Sequence, residues 1–151
     1  MKRLALSAVL ITALVGVAAP LPFPKPKDRS DLHTLQGEWV AERRVMAGRP
    51  NPLSGQTMTI RGDRMTIFVD GDMRTSWEFT LDPKQSPRAM DRRRVASKSA
   101  DGRAVTLLTI YRIDGDTLTA SYVTAGGSAT RPTDFEGKKS GEWLTVYRRK
   151  K

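Results

Sequence analysis

The stretch QTMTIRGDRMTIFVDGDMRTSWEFTLD, residues 56–82, decides the fold. Its apolar residues recur with a period of two: Met58 and Ile60, then Met65, Ile67 and Val69, then Met73, Trp77, Phe79 and Leu81, mostly with polar residues between them. That period is the side-chain repeat of a strand with one buried face. The two interruptions, Gly62-Asp63 and Asp70-Gly71-Asp72, carry residues that tolerate the left-handed backbone of a tight hairpin. Residues 56–61, 64–69 and 73–81 are therefore expected to form a three-stranded antiparallel meander.

The same pattern extends outward in both directions. Upstream, residues 38–46 form a strand with Trp39, Ala41 and Val45 on one face, followed by a loop through Gly48, Pro50, Asn51 and Pro52. Residues 28–36 have helix character: Ser30 or Asp31 can cap the first turn, Leu32 and Leu35 share a face, and Gly37 stops it. Downstream, Asp82 to Pro87 is a loop, because its prolines remove ladder donors. The charged strand 89–96 suits an edge or a rim. A turn at 99–102 leads into residues 103–113, apolar on both faces and so expected to be central. Asp114-Gly115-Asp116 turns into residues 117–123. A Gly-rich loop from Thr124 to Pro132, with Phe135 adding a short strand or packing beneath, precedes the last strand, residues 142–149. Eight short strands joined mostly by tight turns predict an all-β fold: an eight-stranded antiparallel up-and-down barrel with one short N-terminal helix, in preference to a two-sheet sandwich.

Ahead of the domain, Lys2 and Arg3 precede an uncharged run from Leu4 to Ala19 that ends in small residues, the pattern of a secretory signal peptide. Residues 1–18 are expected to be that signal, with cleavage after Ala18, and the run is short for a spanning helix. A retained N-terminal anchor is the alternative. Residues 19–29 are a Pro-rich spacer of extended character, and residues 30–151 are the domain. The mature protein is thus expected outside the cytoplasm, periplasmic or extracellular, with no stable membrane insertion.

The chain has no cysteine, which excludes disulfides, thiolate metal sites and a thiol nucleophile. His33 is the sole histidine and lies in the helix, so a multi-histidine metal site is excluded. The pairs Asp70/Asp72 and Asp114/Asp116 flank glycines in hairpin turns, where Asp is favoured for bonding its own backbone. Ser54-Gly55 and Ser140-Gly141 lack a nucleophile-elbow context, and Gly126-Gly127 lacks the strand-to-helix setting of a phosphate cradle. The chain is not expected to be an enzyme or to carry a cofactor or metal. Its net charge is +10, or +8 once Lys2 and Arg3 leave (10 − 2). Such a field attracts acidic polymers. The basic residues are scattered without interleaved aromatics, so nucleic acid is not the expected partner.

Leu35-Gln36-Gly37-Glu38-Trp39 after a short helix resembles the opening of a lipocalin-like (calycin-type) barrel. The resemblance implies that Trp39 plugs the closed end and that a basic residue of the last strand, Arg148 or Arg149, stacks on it. Residues 31–149 are also similar to a family of uncharacterised, mostly exported small domains abundant in Planctomycetes. The similarity rests on that segment together with Leu81-Asp82-Pro83, Pro87-Arg88-Ala89-Met90-Asp91, Ile113-Asp114-Gly115-Asp116-Thr117-Leu118 and Arg131-Pro132-Thr133-Asp134-Phe135. It implies fold and export and carries no activity. Where members commonly have a more apolar or neutral run after the Met-Asp element, this chain has Arg92-Arg93-Arg94.

Two functions fit. The first is an exported binding module for a small, partly apolar molecule, its interior or pocket drawn from Met58, Ile60, Met65, Ile67, Trp77, Phe79, Leu107, Tyr111, Tyr122 and Tyr147. Eight strands sit at the boundary between a filled barrel and one with room for a ligand. The second is a cell-envelope protein contacting acidic polymers or a protein partner through Arg92, Arg93, Arg94 and the tail Arg148 to Lys151. Oligomeric state is not legible.

Overall fold

Gly62, Asp70 and Gly71 hold φ of +60°, +52° and +88°, and the chain reverses tightly at both turns of the meander. The computed structural model describes residues 30–98 and 104–151. A single helical turn, α1 (Asp31–Leu35), is capped by Ser30, whose hydroxyl accepts from the His33 amide. The strands are β1 (Gly37–Met46), β2 (Arg49–Pro50), β3 (Gln56–Arg61), β4 (Arg64–Val69), β5 (Asp72–Asp82), β6 (Ala89–Lys98), β7 (Ala104–Asp114), β8 (Thr117–Thr124) and β9 (Trp143–Arg149). Each long strand pairs antiparallel with its sequence neighbours, and β1 also pairs with β9. The result is a closed eight-stranded up-and-down barrel, with β2 a two-residue appendage on β1. Closure leaves no long edge unpaired.

Two expectations, at Val45 and Met73, need correction, and in two others, for β6 and Phe135, one of the alternatives falls away. The charged strand β6 is not an edge: it is laddered to β5 on one side and β7 on the other. Val45 does not share a face with Trp39 and Ala41, because a bulge between Ala41 and Arg43 shifts the register against β9. An extra residue in one strand flips everything beyond it. Arg44 consequently turns inward and Val45 outward. A second register shift, where Ile67 pairs Thr75 but Phe68 pairs Met73, leaves Arg74 as the extra residue of β5. Met73 then faces solvent and is 67% exposed, so it is not part of the inner face. Phe135 forms no strand. The signal segment, the spacer, the first residues of the expected helix and the turn at 99–102 lie outside the described residues.

The connection from Ala125 to Glu142 lies as a strap over the outer face of β7 to β9. Ile110, Ser121 and Leu144 face away from the barrel axis in one cross-strand row, yet all are buried. The strap covers them. Arg131 anchors it by donating to the carbonyls of Thr109 (2.8 Å) and Met90 (3.4 Å) and to Asp91 (2.6 Å). Gly137 holds φ +62° with its α-carbon turned at Leu144, where an added Cβ would sit 2.8 Å from the leucine Cβ. Only glycine fits.

One end of the barrel is closed. Trp39 is fully buried, and its indole N–H donates to the Leu35 carbonyl at 2.9 Å, holding α1 across the opening. The Arg149 guanidinium lies 4.2 Å from the centre of the Trp39 ring and donates to the carbonyls of Gln36 (2.7 Å) and Thr34 (2.6 Å). Arg148 does not take this place. It projects outward and pairs with Glu42 at 3.2 Å, as alternation along β9 requires. Asp31 ties the helix to the wall, accepting from the Tyr111 hydroxyl (2.6 Å) and from Arg88 (3.0 Å). Burial first, and then this bond to Asp31, push the Tyr111 hydroxyl well above its ordinary pKa.

Candidate functional site: an arginine-lined cavity at the barrel mouth

Away from α1 the packing thins. Met58, Ile60, Met65, Phe79, Met90, Tyr111 and Leu118 fill the half of the barrel nearest the helix, together with Leu35 and Trp39. Beyond them, towards the opposite end, lies a cavity of about 310 Å³ open to solvent. Its apolar lining is Ile67, Val69, Trp77, Val105 and Leu107, from β4, β5 and β7, with the rings of Tyr122 and Tyr147. Of the residues expected to line a pocket, Ile67, Trp77, Leu107, Tyr122 and Tyr147 do so. Met58, Ile60, Met65, Phe79 and Tyr111 belong to the packed half instead, because the barrel is filled from its plugged end upward.

What the sequence reading missed is the cavity's charge. Arg44, Arg74, Arg92 and Arg94 all line it, and among the described residues no Asp or Glu does. Arg92 and Arg94 are two apart on β6 and share its inner face, opposite Phe79 and Trp77 on β5. Arg93, between them, faces out and pairs with Glu78 at 3.0 Å. A run of three arginines on a strand reads, in sequence, as one surface patch, whereas strict alternation sends two of them inside. The signal was available in the cross-strand pairing of 92 and 94 with two aromatic residues. The two bulges act in the same direction, since they bring Arg44 and Arg74 to the mouth. Bulges commonly re-aim side chains next to functional sites.

Arg92 is only 4% exposed. Its Nε–H donates to the Thr109 hydroxyl at 3.0 Å, Nη1 approaches the Met65 sulfur at 3.9 Å, and the guanidinium stacks over the Tyr122 ring at 4.3 Å. Nη2 has no partner. Burial lowers its pKa from the usual guanidinium value, the expected sign for a cation taken out of water. Arg44 donates to Gln56 Oε1, and Gln56 passes a bond on to the Tyr147 hydroxyl at 3.3 Å. The guanidinium of Arg44 lies 5.9 Å from the Trp143 ring centre and that of Arg94 5.0 Å from Trp77. The Nε groups of both are buried without a hydrogen-bond partner. Cation–π contact stabilises each charge, but a ring offers no lone pair to an N–H.

Burial, more than any neighbour, raises the Tyr147 hydroxyl to about 12. The consequence is alkaline sensitivity. A tyrosine in the unfolded chain ionises near pH 10, so between about pH 10 and 12 the unfolded state has released a proton that the folded state retains, and stability falls as pH rises. Stability is complete below pH 10. By pH 11 Tyr147 alone should have removed about 1.4 kcal/mol. Urea midpoints at pH 9 and pH 11 measure this, and Tyr147→Phe should lose less between the two than the wild type. An equal loss would mean that Tyr147 already ionises freely in the folded barrel.

The remaining depressions lie on the outside. The largest, about 640 Å³, separates the strap from β8 and β9 and is walled mainly by loop residues from Gly126 to Thr130 and from Lys139 to Glu142. It gathers no comparable set of charged and aromatic side chains. No protein-family model, curated protein or solved structure matches this chain.

Proposed function

We propose that this protein is an exported, non-catalytic binding module that takes a small, partly apolar molecule into the mouth of its barrel. The observation that carries the proposal is the mouth cavity itself: a recess of about 310 Å³ at the end of the barrel away from α1, lined by apolar side chains interleaved with arginines. Binding sites for small molecules are typically concave, mostly apolar and furnished with a few convergent polar groups. The reading of residues 1–18 as a signal places it outside the cytoplasm.

The surface alternative draws less support. Arg92 and Arg94 point inward, while Arg93, Arg148 and Lys150 are held by Glu78, Glu42 and Glu38. A continuous outward patch of unpaired cations does not arise from these residues.

The test is titration with the neutral dye Nile red, followed by fluorescence, at low salt and in 1 M NaCl. One saturable site per chain that persists in high salt is expected, because burial of an apolar dye is not screened. Val105→Trp, which places a ring in the mouth, should abolish it. Absence of saturable binding by protein with a native near-UV circular dichroism spectrum would overturn the proposal.

A further inference from the structure

We propose that the mouth cavity is built for the carboxylate of a small organic acid, with Arg92 as the cation at its floor. The inference rests on the binding-module reading and names its ligand chemistry. Three features carry it. The first is that Arg92, among the described residues, is buried with only neutral partners, a hydroxyl, a thioether and a ring, and keeps one terminal nitrogen unpaired. Buried charges are as a rule paired, since the cost of removing an ion from water is several kcal/mol. A side chain left in that state lacks an acceptor, and an anion is the acceptor that also cancels the charge.

The second feature is convergence. Arg44 and Arg94 line the same cavity, each with a buried Nε–H that finds no acceptor among the described residues. The donors come from strands on different sides of the barrel, which a chance surface cluster would not arrange. The third is the apolar part of the lining, which flanks Arg92 and Arg94 on β5 and β7 and continues onto β4. Ile67, Val69, Trp77 and Leu107 offer apolar surface to a carbon skeleton while the guanidinium groups face its acid end. Guanidinium and carboxylate match as planar, charge-assisted partners. A free inorganic phosphate has no carbon skeleton to lay against these apolar side chains and would set its remaining oxygens against them unbonded.

Calorimetric titration with octanoate, with octanamide of the same carbon chain and with inorganic phosphate separates the possibilities. Octanoate should bind at least about tenfold more tightly than octanamide, the scale of one charge-assisted hydrogen bond. Phosphate should bind more weakly than octanoate. Arg92→Met should bring octanoate and octanamide to within about twofold of each other. Arg44→Gln should weaken octanoate while sparing octanamide, which keeps the test decisive if the Arg92 variant fails to fold. Arg93→Gln, facing outward, should leave both unchanged. Equal affinity for acid and amide would overturn the carboxylate and leave the binding module standing. Phosphate binding as tightly as octanoate would replace the organic acid by an inorganic anion. Failure of octanoate where Nile red still binds overturns this inference alone, whereas failure of both overturns the module as well.

Discussion

Trp39→Ala should destabilise the barrel by about 4 kcal/mol, in the range of large aromatic-to-alanine substitutions in a packed core. Trp39 is fully buried at the plugged end, so truncation leaves a void that the surrounding strands cannot close. The loss exceeds the ring's own burial. The indole N–H holds the Leu35 carbonyl, and the ring face is the seat of Arg149, which in turn binds the carbonyls of Thr34 and Gln36. Without the ring, α1 loses its bond to the barrel and Arg149 its platform. Arg148→Ala provides the contrast: its partner Glu42 is exposed, and surface ion pairs contribute at most about 1 kcal/mol. Urea denaturation of both variants measures the difference. A Trp39→Ala loss of under 1 kcal/mol would show that the plug is not what closes this end.

The strands were legible because turn chemistry and a period of two agree along nearly the whole chain. From β3 to β8 the expected spans match those observed to within about two residues, and the barrel follows from their count and tight turns. The interior was less legible, for physical reasons that can be named. A bulge is a one-residue event with no strong local signature, and the one before Arg43 exchanged Val45 for Arg44 on the inner face. The strap was obscured because its covered residues, Ile110, Ser121 and Leu144, lie on the outer face of strands whose inner face also reads as core. Arg92 and Arg94 ran against the strongest composition rule, that charge stays outside. Violations of local rules concentrate at functional sites, where consistency is given up for activity. The triplet Arg92-Arg93-Arg94 is therefore the most informative segment of the candidate site.

That argument makes a prediction of opposite sign to the first. The double variant Arg92→Met/Thr109→Val should be more stable than the wild type by about 2 kcal/mol, while losing its preference for octanoate over octanamide. Methionine keeps the volume of the arginine stem, and valine removes the hydroxyl that would otherwise be left without its donor. Replacing both partners of a buried hydrogen bond with apolar groups of the same shape is often neutral or better. The guanidinium does gain about 2 kcal/mol from its desolvated stack on Tyr122, together with one hydrogen bond to Thr109. Against these stand a desolvation cost of several kcal/mol and the unpaired Nη2, so the balance favours removal. Arg92→Met alone should gain less, because Thr109 is fully buried and its hydroxyl would lose its donor. Urea midpoints and octanoate titrations on the same preparations distinguish the two accounts of this residue. A structural Arg92 requires the double variant to be less stable than the wild type. A ligand-binding Arg92 requires stability to rise as acid recognition disappears, and in the wild type saturating octanoate should raise the urea midpoint by mass action, an increase the double variant should lack.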